Sequence, residues 1–247
     1  MKDVGIVGLP QSGKTTLFNA LTRAGAPAGG AAGRASVAAV PVPDPRVDVL
    51  AELERSRKKV FVQARFVDVA GLSAGGGLSA QGLGALREAD ALAMVLAAWD
   101  ETAPDPVDAA AELTLELTVA DLESVAGGAD KAAKKARAGV KDAALEADVL
   151  ARARDLLERG TPLRAADWEP EEARVLRGFA PLTLKPALAV LNLAELAPTD
   201  AADLLAGYGV ERGGLDQVVG AAWRLLDLLT FLTTGGPPRP WSRPRRW

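Results

Sequence analysis

The chain has 247 residues and a formal net charge of −3, and 49% of its residues are hydrophobic, which suits a globular α/β domain with an insertion. It contains no cysteine and no histidine, which excludes disulfides, thiolate zinc sites and a histidine general base. No signal peptide is recognised before Val4 and no apolar run approaches membrane-spanning length, so we expect a cytoplasmic protein without a membrane partner.

The first predicted elements are a short buried strand, Val4–Val7, and a helix that begins near Lys14. Between them, GLPQSGKT matches the complete GxxxxGK[ST] phosphate loop. In such a loop, backbone N–H groups and the helix N-terminus face phosphate oxygens, the lysine reaches the β- and γ-phosphates, and the hydroxyl ligates Mg²⁺. The alternative is a glycine-rich turn that matches by chance. The predicted nucleotide-binding residues here are Gly8, Leu9, Pro10, Gln11, Ser12, Gly13, Lys14, Thr15 and Thr16.

A second nucleotide motif follows the next strand-like run, Phe61–Val69. Asp68 lies at the end of this run and Gly71 follows three residues later, the DxxG arrangement of P-loop GTPase-like proteins. Asp68 is predicted to hold Mg²⁺ through water, and the Gly71 N–H to meet the γ-phosphate. Leu72 occupies the position of the water-orienting glutamine of Ras-like enzymes. We therefore expect slow hydrolysis, unless backbone groups, a partner or an associated ion hold the water.

The stretches around this motif are predicted to be loops and one helix. A Gly/Ala/Pro-rich loop is expected over Gly25–Gly33, and the proline-stiffened Pro41–Pro45 leads into a helix from Arg46 to about Arg57. Gly75–Gly84 is predicted to be a switch loop that a γ-phosphate could order.

Two further apolar runs, Ala91–Ala97 and Ala187–Leu191, alternate with helical patterns, which predicts a parallel sheet with crossover helices. Asn192 and Glu195 follow the second run, where GTPases carry NKxD. Asn192 is suited to contact a purine and to tie its loop to the phosphate loop. Glu195 replaces the aspartate that accepts from guanine, which should weaken guanine preference. The alternative is an ordinary strand-end asparagine beside a solvated glutamate.

Residues 107–160 differ in character, because apolar stripes at helical spacing predict two antiparallel helices joined near Ala138-Gly139. The Gly127-Gly128 pair is a weak point at which the first helix can kink. The expected hairpin tip is basic, which fits either a solvated helix end or an anionic partner such as RNA. Its charges are Lys131, Lys134, Lys135, Arg137 and Lys141.

The last eleven residues, Pro237–Trp247, hold four prolines, four arginines and two tryptophans. This composition predicts a disordered basic tail, with an Arg/Trp contact to RNA or protein as the alternative.

Together these stretches resemble the YchF-type Obg-like ATPases of the P-loop GTPase class. The shared segments are residues 5–10, 13–22, 40–46, 66–72, 116–122, 182–186 and 225–233. The resemblance implies a three-layer P-loop NTPase domain with a parallel-type sheet over residues 1–106 and 182–236. An α-helical coiled-coil hairpin over 107–181 interrupts that domain.

The resemblance also implies ATP binding (or GTP binding) with Mg²⁺, slow hydrolysis, and a ribosome-associated role as a translation-linked switch. By position, Thr15 and Asp68 are the Mg²⁺ ligands, and Asn192 and Glu195 approach the base. Lys14, Asp68 and Gly71 are the predicted catalytic group.

Three departures from the family pattern are visible. The switch-I threonine falls near Ala32, with only Ser36 offering a hydroxyl nearby, which removes an expected Mg²⁺ ligand. Thr199–Gly214 shows no recognisable strand, so one side of the purine is expected to be open. A C-terminal TGS domain is not recognised. The alternatives are therefore a degenerate nucleotide-binding scaffold with little or no hydrolysis, or a GTP-specific switch.

Overall fold

The computed structural model describes residues 2–22, 36–56, 58–69, 79–98, 103–140, 142–193, 209–210, 215–228, 230 and 232. The strands are β1 Asp3–Val7, β2 Ser36–Pro41, β3 Gln63–Asp68, β4 Ala91–Ala98, β5 Ala187–Leu193 and β6 Gly209–Val210. They form one six-stranded sheet in the order β2-β3-β1-β4-β5-β6. All neighbouring strands are parallel except β2 and β3, which are antiparallel.

The helices are α1 Lys14–Thr22, α2 Pro45–Leu53, α3 Ala80–Glu88, α4 Pro106–Arg137, α5 Ala143–Glu158, α6 Pro170–Arg177 and α7 Leu215–Leu225. Both α2 and α4 begin at an Asp-Pro pair. Asp44 and Asp105 accept hydrogen bonds from backbone N–H groups of the first turn, and the proline supplies a pre-set φ angle. Among the described helices, none is both long and apolar enough to cross a bilayer.

Two apolar cores lie on opposite faces of the sheet. On one face Leu86 of α3 and Leu113 and Leu117 of α4 pack against the sheet. On the other, Phe18 of α1 and Trp223 of α7 do so. Because both faces are covered, the central strand β4 is buried along its whole length and its sequence is continuously apolar. The predicted three-layer α/β architecture is confirmed.

The sheet has two strands that the sequence did not reveal, and both lie at its edges. β2 alternates exposed and partly buried positions, and its Ser-Val-Ala-Ala-Val composition gives a weak signal. β6 comprises two residues and pairs with Leu188 and Ala189 of β5. The expectation that Thr199–Gly214 holds no strand was therefore wrong.

Helices α4 and α5 form the predicted antiparallel hairpin. The Lys135 Nζ lies 3.8 Å from the Glu146 Oε2, and the Arg154 Nη1 lies 3.6 Å from the Asp130 Oδ1. Later residues of α5 therefore face earlier residues of α4, as in an antiparallel pair. The two helices share a core that includes Val125, Val149, Leu150 and Leu157.

The Gly127-Gly128 pair does not interrupt α4, which continues through both glycines to Arg137. Gly128 has a packing role instead: an added Cβ would collide with the ring of Phe179. This glycine therefore permits the close approach of the residues that follow α6, at some cost in helix propensity.

Candidate nucleotide site

The phosphate loop connects β1 to α1 with the backbone conformation that its glycines allow. Gly13 and Gln11 have φ values of 89° and 60°, in the left-handed region. A Cβ on Gly8 would lie 2.5 Å from the Val95 carbonyl oxygen of β4 and 2.6 Å from the Ser12 Oγ. Glycine is therefore required at position 8, where the loop passes over the neighbouring strand.

Lys14 opens α1 and turns back over the loop. Its side chain is buried, and its Nζ donates to the Leu9 carbonyl oxygen at 2.7 Å. Burial lowers the pKa of Lys14, and the negative charge of nearby Asp68 partly opposes this. The Lys14 ammonium thus lies inside the loop, where a bound anion would offset the desolvation that lowers its pKa.

Asp68 comes to the site because β3 lies beside β1, in register with Ile6. Its Oδ2 accepts a hydrogen bond from the Thr15 Oγ1 at 3.0 Å. Burial raises the pKa of Asp68, while the Thr15 bond and the Lys14 charge oppose the rise. A hydroxyl and a carboxylate at this distance are the oxygen donors that Mg²⁺ prefers, so the pair fits that ion.

Asn192 reaches the same edge from β5. Its Nδ2 donates to the Ser12 carbonyl oxygen at 3.1 Å, across 180 positions of sequence. This hydrogen bond is the predicted tie between the strand end and the phosphate loop. Its companion Glu195 lies outside the described residues.

The remaining predicted phosphate-loop residues are placed as a continuous turn. Ser12 and Leu9 are buried, whereas Pro10, Gln11 and Thr16 are exposed. The Ser12 hydroxyl is buried without a hydrogen-bond partner among the described residues.

Several predicted positions lie outside the described residues, namely Gly71, Leu72, Ala32 and the Gly75–Leu78 part of the switch loop. The rest of that loop was predicted wrongly, because α3 begins at Ala80, with the Ser79 Oγ accepting from the Gly82 N–H at 3.0 Å. Ser36 opens β2 opposite Asp68 in the antiparallel register.

A cavity of about 370 Å³ adjoins the phosphate loop, and the sequence motifs did not predict it. Its walls are the phosphate loop, the end of β4, Pro104 in the segment before α4, and Ala109 in the first turn of α4. Sequence could have pointed to the β4 end, since parallel-sheet sites form at carboxyl ends of strands.

The phosphate loop between β1 and α1, the Thr15–Asp68 pair and the Asn192 tie define a P-loop nucleotide-binding domain. Residues 3–125 match the family model described as 50S ribosome-binding GTPase. The Ribosome-binding ATPase YchF of Haemophilus ducreyi is 32% identical, across 94% of this chain and 77% of that protein. The protein of the same name from Escherichia coli O157:H7 is also 32% identical, across 97% of this chain and 80% of its own.

The structure of the Schizosaccharomyces pombe YchF GTPase has the same fold, with a TM-score of 0.77 at 22% identity. The match covers 98% of this chain and 80% of that one. The chain therefore belongs to the YchF family of P-loop ATPases.

Proposed function

We propose that this protein is a slow, Mg²⁺-dependent ATPase whose nucleotide state controls association with the ribosome. The observation that carries the nucleotide part is the convergence of Lys14, the Thr15–Asp68 pair and Asn192 on one edge of the sheet. In this proposal, residues 1–106 and 182–236 bind the nucleotide, and the insertion 107–181 binds the partner.

In this proposal the loop backbone and Lys14 bind the β- and γ-phosphates. Lys14 exchanges its Leu9 carbonyl acceptor for phosphate oxygens, which are stronger acceptors because they are charged. Thr15 and Asp68 hold Mg²⁺, together with water and phosphate oxygens, since the described residues contain no cluster of three acidic side chains. Bound Mg²⁺ neutralises charge on the phosphates.

Hydrolysis is proposed to be slow. The Gly71 N–H would donate a hydrogen bond to the γ-phosphate, but the Leu72 side chain has no polar atom with which to orient water. A scaffold that binds ATP without turnover is the second candidate, favoured by the same leucine. Single-turnover ATP hydrolysis, compared with a Lys14→Ala control, separates the two.

Base preference is proposed to rest on Asn192 and Glu195. Glu195 carries one more methylene than the aspartate suited to guanine, so ATP should bind at least as tightly as GTP. We expect Glu195→Asp to raise GTP affinity relative to ATP, measured by parallel titrations of both nucleotides. A wild-type protein that greatly prefers GTP would contradict this assignment.

The basic hairpin tip is the proposed contact with ribosomal RNA. Lys131, Lys134 and Arg137 are exposed, and no described carboxylate lies within ion-pairing distance of them, whereas Lys135 pairs with Glu146. The two curated relatives described above are named for ribosome binding. Free cations on a protruding helix end suit phosphate contacts, whose strength falls steeply with salt.

The test is ribosome co-sedimentation with a double variant, Lys134→Glu with Arg137→Glu, that spares the Lys135–Glu146 pair. We expect binding to be lost while ATP affinity stays unchanged. The matched control is Arg174→Glu with Arg177→Glu, two exposed residues on α6, which should bind as wild type does.

Co-sedimentation with ATP and with ADP completes the test. A difference between the two nucleotides supports the switch. Binding that ignores both nucleotide and Lys14→Ala supports the scaffold, and absence of binding at low salt rejects the ribosomal role.

A further inference from the structure

A second buried carboxylate lies outside the nucleotide site, at the base of the hairpin. Asp121 of α4 is fully buried. Its Oδ1 accepts from the Leu182 N–H at 2.8 Å, and its Oδ2 accepts from the Thr183 N–H and Thr183 Oγ1, both at 2.7 Å. The donors belong to the segment Leu182–Pro186 that leads into β5. Asp121 therefore joins the hairpin to the chain that carries Asn192.

The same segment also binds the turn that follows the hairpin's second helix. The Thr183 carbonyl oxygen accepts from the Arg164 N–H at 2.9 Å, and its Oγ1 accepts from the Leu163 N–H at 3.3 Å. Leu163 and Arg164 form the short 3₁₀ turn after α5. Thr183 is thus bonded both to α4 and to the turn that follows α5, at the base of the hairpin.

Lys185 extends the connection to α3. Its Nζ donates to the Arg87 carbonyl oxygen at 2.9 Å and to that of Ala89, at the C-terminal end of the helix. A cation there also interacts favourably with the helix dipole. Arg87 in turn donates from Nη2 to the Ala120 carbonyl oxygen of α4, at 3.3 Å. The end of α3 is therefore bonded both to the hairpin and to the segment before β5.

The connected elements lead to the nucleotide site by two routes. The N-terminus of α3 follows Gly71 of the DxxG motif by nine positions, since the helix begins at Ala80. β5 leads directly from Lys185 to Asn192, which is bonded to the phosphate loop. A γ-phosphate that repositions the segment around Gly71 would move α3. The partly buried bonds of Lys185 and Arg87 connect α3 to the hairpin base, and the buried bonds of Asp121 connect that base to the start of β5.

We propose that Asp121 and Lys185 are positioning residues that make α3, the hairpin base and the start of β5 move together, so that the bound nucleotide sets the position of the hairpin. This inference rests on the proposed nucleotide-controlled function. It names the regulation of that site and the side chains that carry it.

The test uses the full chain and two shape-conserving variants. Asp121→Asn keeps the side-chain volume but presents an NH₂ group to the N–H and O–H donors of its neighbours. Lys185→Met keeps the side-chain length and removes both bonds to α3. The readout is hydrogen exchange of the hairpin segments 125–137 and 143–157 with Mg·ATP and with Mg·ADP.

In wild type we expect exchange in the hairpin to differ at least threefold between the two nucleotides. In each variant the ratio should fall towards one, while ATP affinity stays within twofold of wild type. Val149→Ala is the matched control. It loosens the hairpin core without touching the cluster, so it should speed exchange in both states and preserve the ratio.

The outcomes are distinguishable. A variant that keeps the wild-type ratio overturns the proposal, as does a wild-type protein that binds both nucleotides with identical hairpin exchange. A wild-type protein that binds neither nucleotide rejects the proposed function itself, and this inference with it. If Asp121→Asn does not fold, Lys185→Met alone decides, because it lies outside the hairpin core.

Discussion

Asp121 is fully buried and Asp68 is half-buried, and burial raises the pKa of each carboxylate, yet their neighbours differ. Asp121 accepts three hydrogen bonds, from Leu182 and Thr183. Asp68 accepts one from Thr15 among the described residues. It also lies at the end of a strand, beside the buried ammonium of Lys14.

The difference separates a structural charge from a binding charge. A buried carboxylate whose two oxygens both accept hydrogen bonds from protein donors holds elements together, and removing it leaves those donors without an acceptor. A carboxylate with unused lone pairs at the edge of a sheet can accept a cation. The two groups differ both in exposure and in hydrogen bonding, because Asp121 is fully buried with three donors and Asp68 is half-buried with one donor among the described residues.

The largest expected effect is on stability, in Asp121→Ala. The Thr183 hydroxyl and two backbone N–H groups would lose their acceptor inside the protein, so we expect the free energy of unfolding to fall by about 3–5 kcal/mol. Urea denaturation followed by circular dichroism measures it. Asp68→Ala is the comparison and should change stability little. A loss below about 1 kcal/mol for Asp121→Ala would remove the distinction between the two carboxylates.

The next effect is on binding, in Lys14→Ala. Removing a charged hydrogen-bond partner of the phosphates costs about 1.5–3 kcal/mol, which is at least a tenfold loss of ATP affinity by calorimetric titration. Stability should not fall, because burial lowers the pKa of this lysine and so already opposes its charged form. Lys58→Ala, at an exposed lysine, is the control. Equal ATP affinity in wild type and Lys14→Ala would reject the phosphate-loop assignment.

The smallest expected effect is the Mg²⁺ contribution at Asp68. Chelating Mg²⁺ should weaken ATP binding to wild type by about fivefold, roughly 1 kcal/mol, and should barely affect Asp68→Asn.

The same contribution should depend on pH in wild type. Because burial raises the pKa of Asp68, the free protein retains this proton at higher pH than an ordinary aspartate does. Mg²⁺ requires the ionised form, so its contribution should shrink as pH falls through that raised pKa and stay constant above it. Titrations with and without chelator across acidic to neutral pH measure this. A chelator effect that persists in Asp68→Asn would place the metal elsewhere.

Much of the site was predictable because its parts are local in sequence. The phosphate loop combines a strand, two glycines, a lysine and a helix start within residues 4–22, and the structure has them in that order. Asp68 and Asn192 were predictable as strand-end residues, since parallel strands β3, β1, β4 and β5 end at one edge. The hairpin was predictable from helical periodicity. The structure gives the positions of Lys14, Asp68 and Asn192, but their roles, like those of Gly71 and Glu195, stay predictions.

The contacts at the hairpin base were not predictable in the same way. Asp121 meets Thr183 across 62 positions, and Lys185 meets Arg87 across 98. Helical spacing places Asp121 on the apolar stripe of Leu113, Leu117 and Val125, but no local pattern shows which distant donors it meets. Gly128, which looked like a helix weakness, accommodates Phe179.

The amino-acid sequence by itself determined the phosphate loop, the four inner strands and the two hairpin helices, because backbone conformation there depends on glycine, proline and apolar spacing over a few residues. Tertiary structure alone decided which carboxylate is hydrogen-bonded by several protein donors and which keeps acceptor sites for a ligand. The pairing of β1 with β3 brings Thr15 to Asp68, and the chain before β5 brings Thr183 to Asp121. Such partners from distant segments meet only once the sheet and the hairpin are assembled.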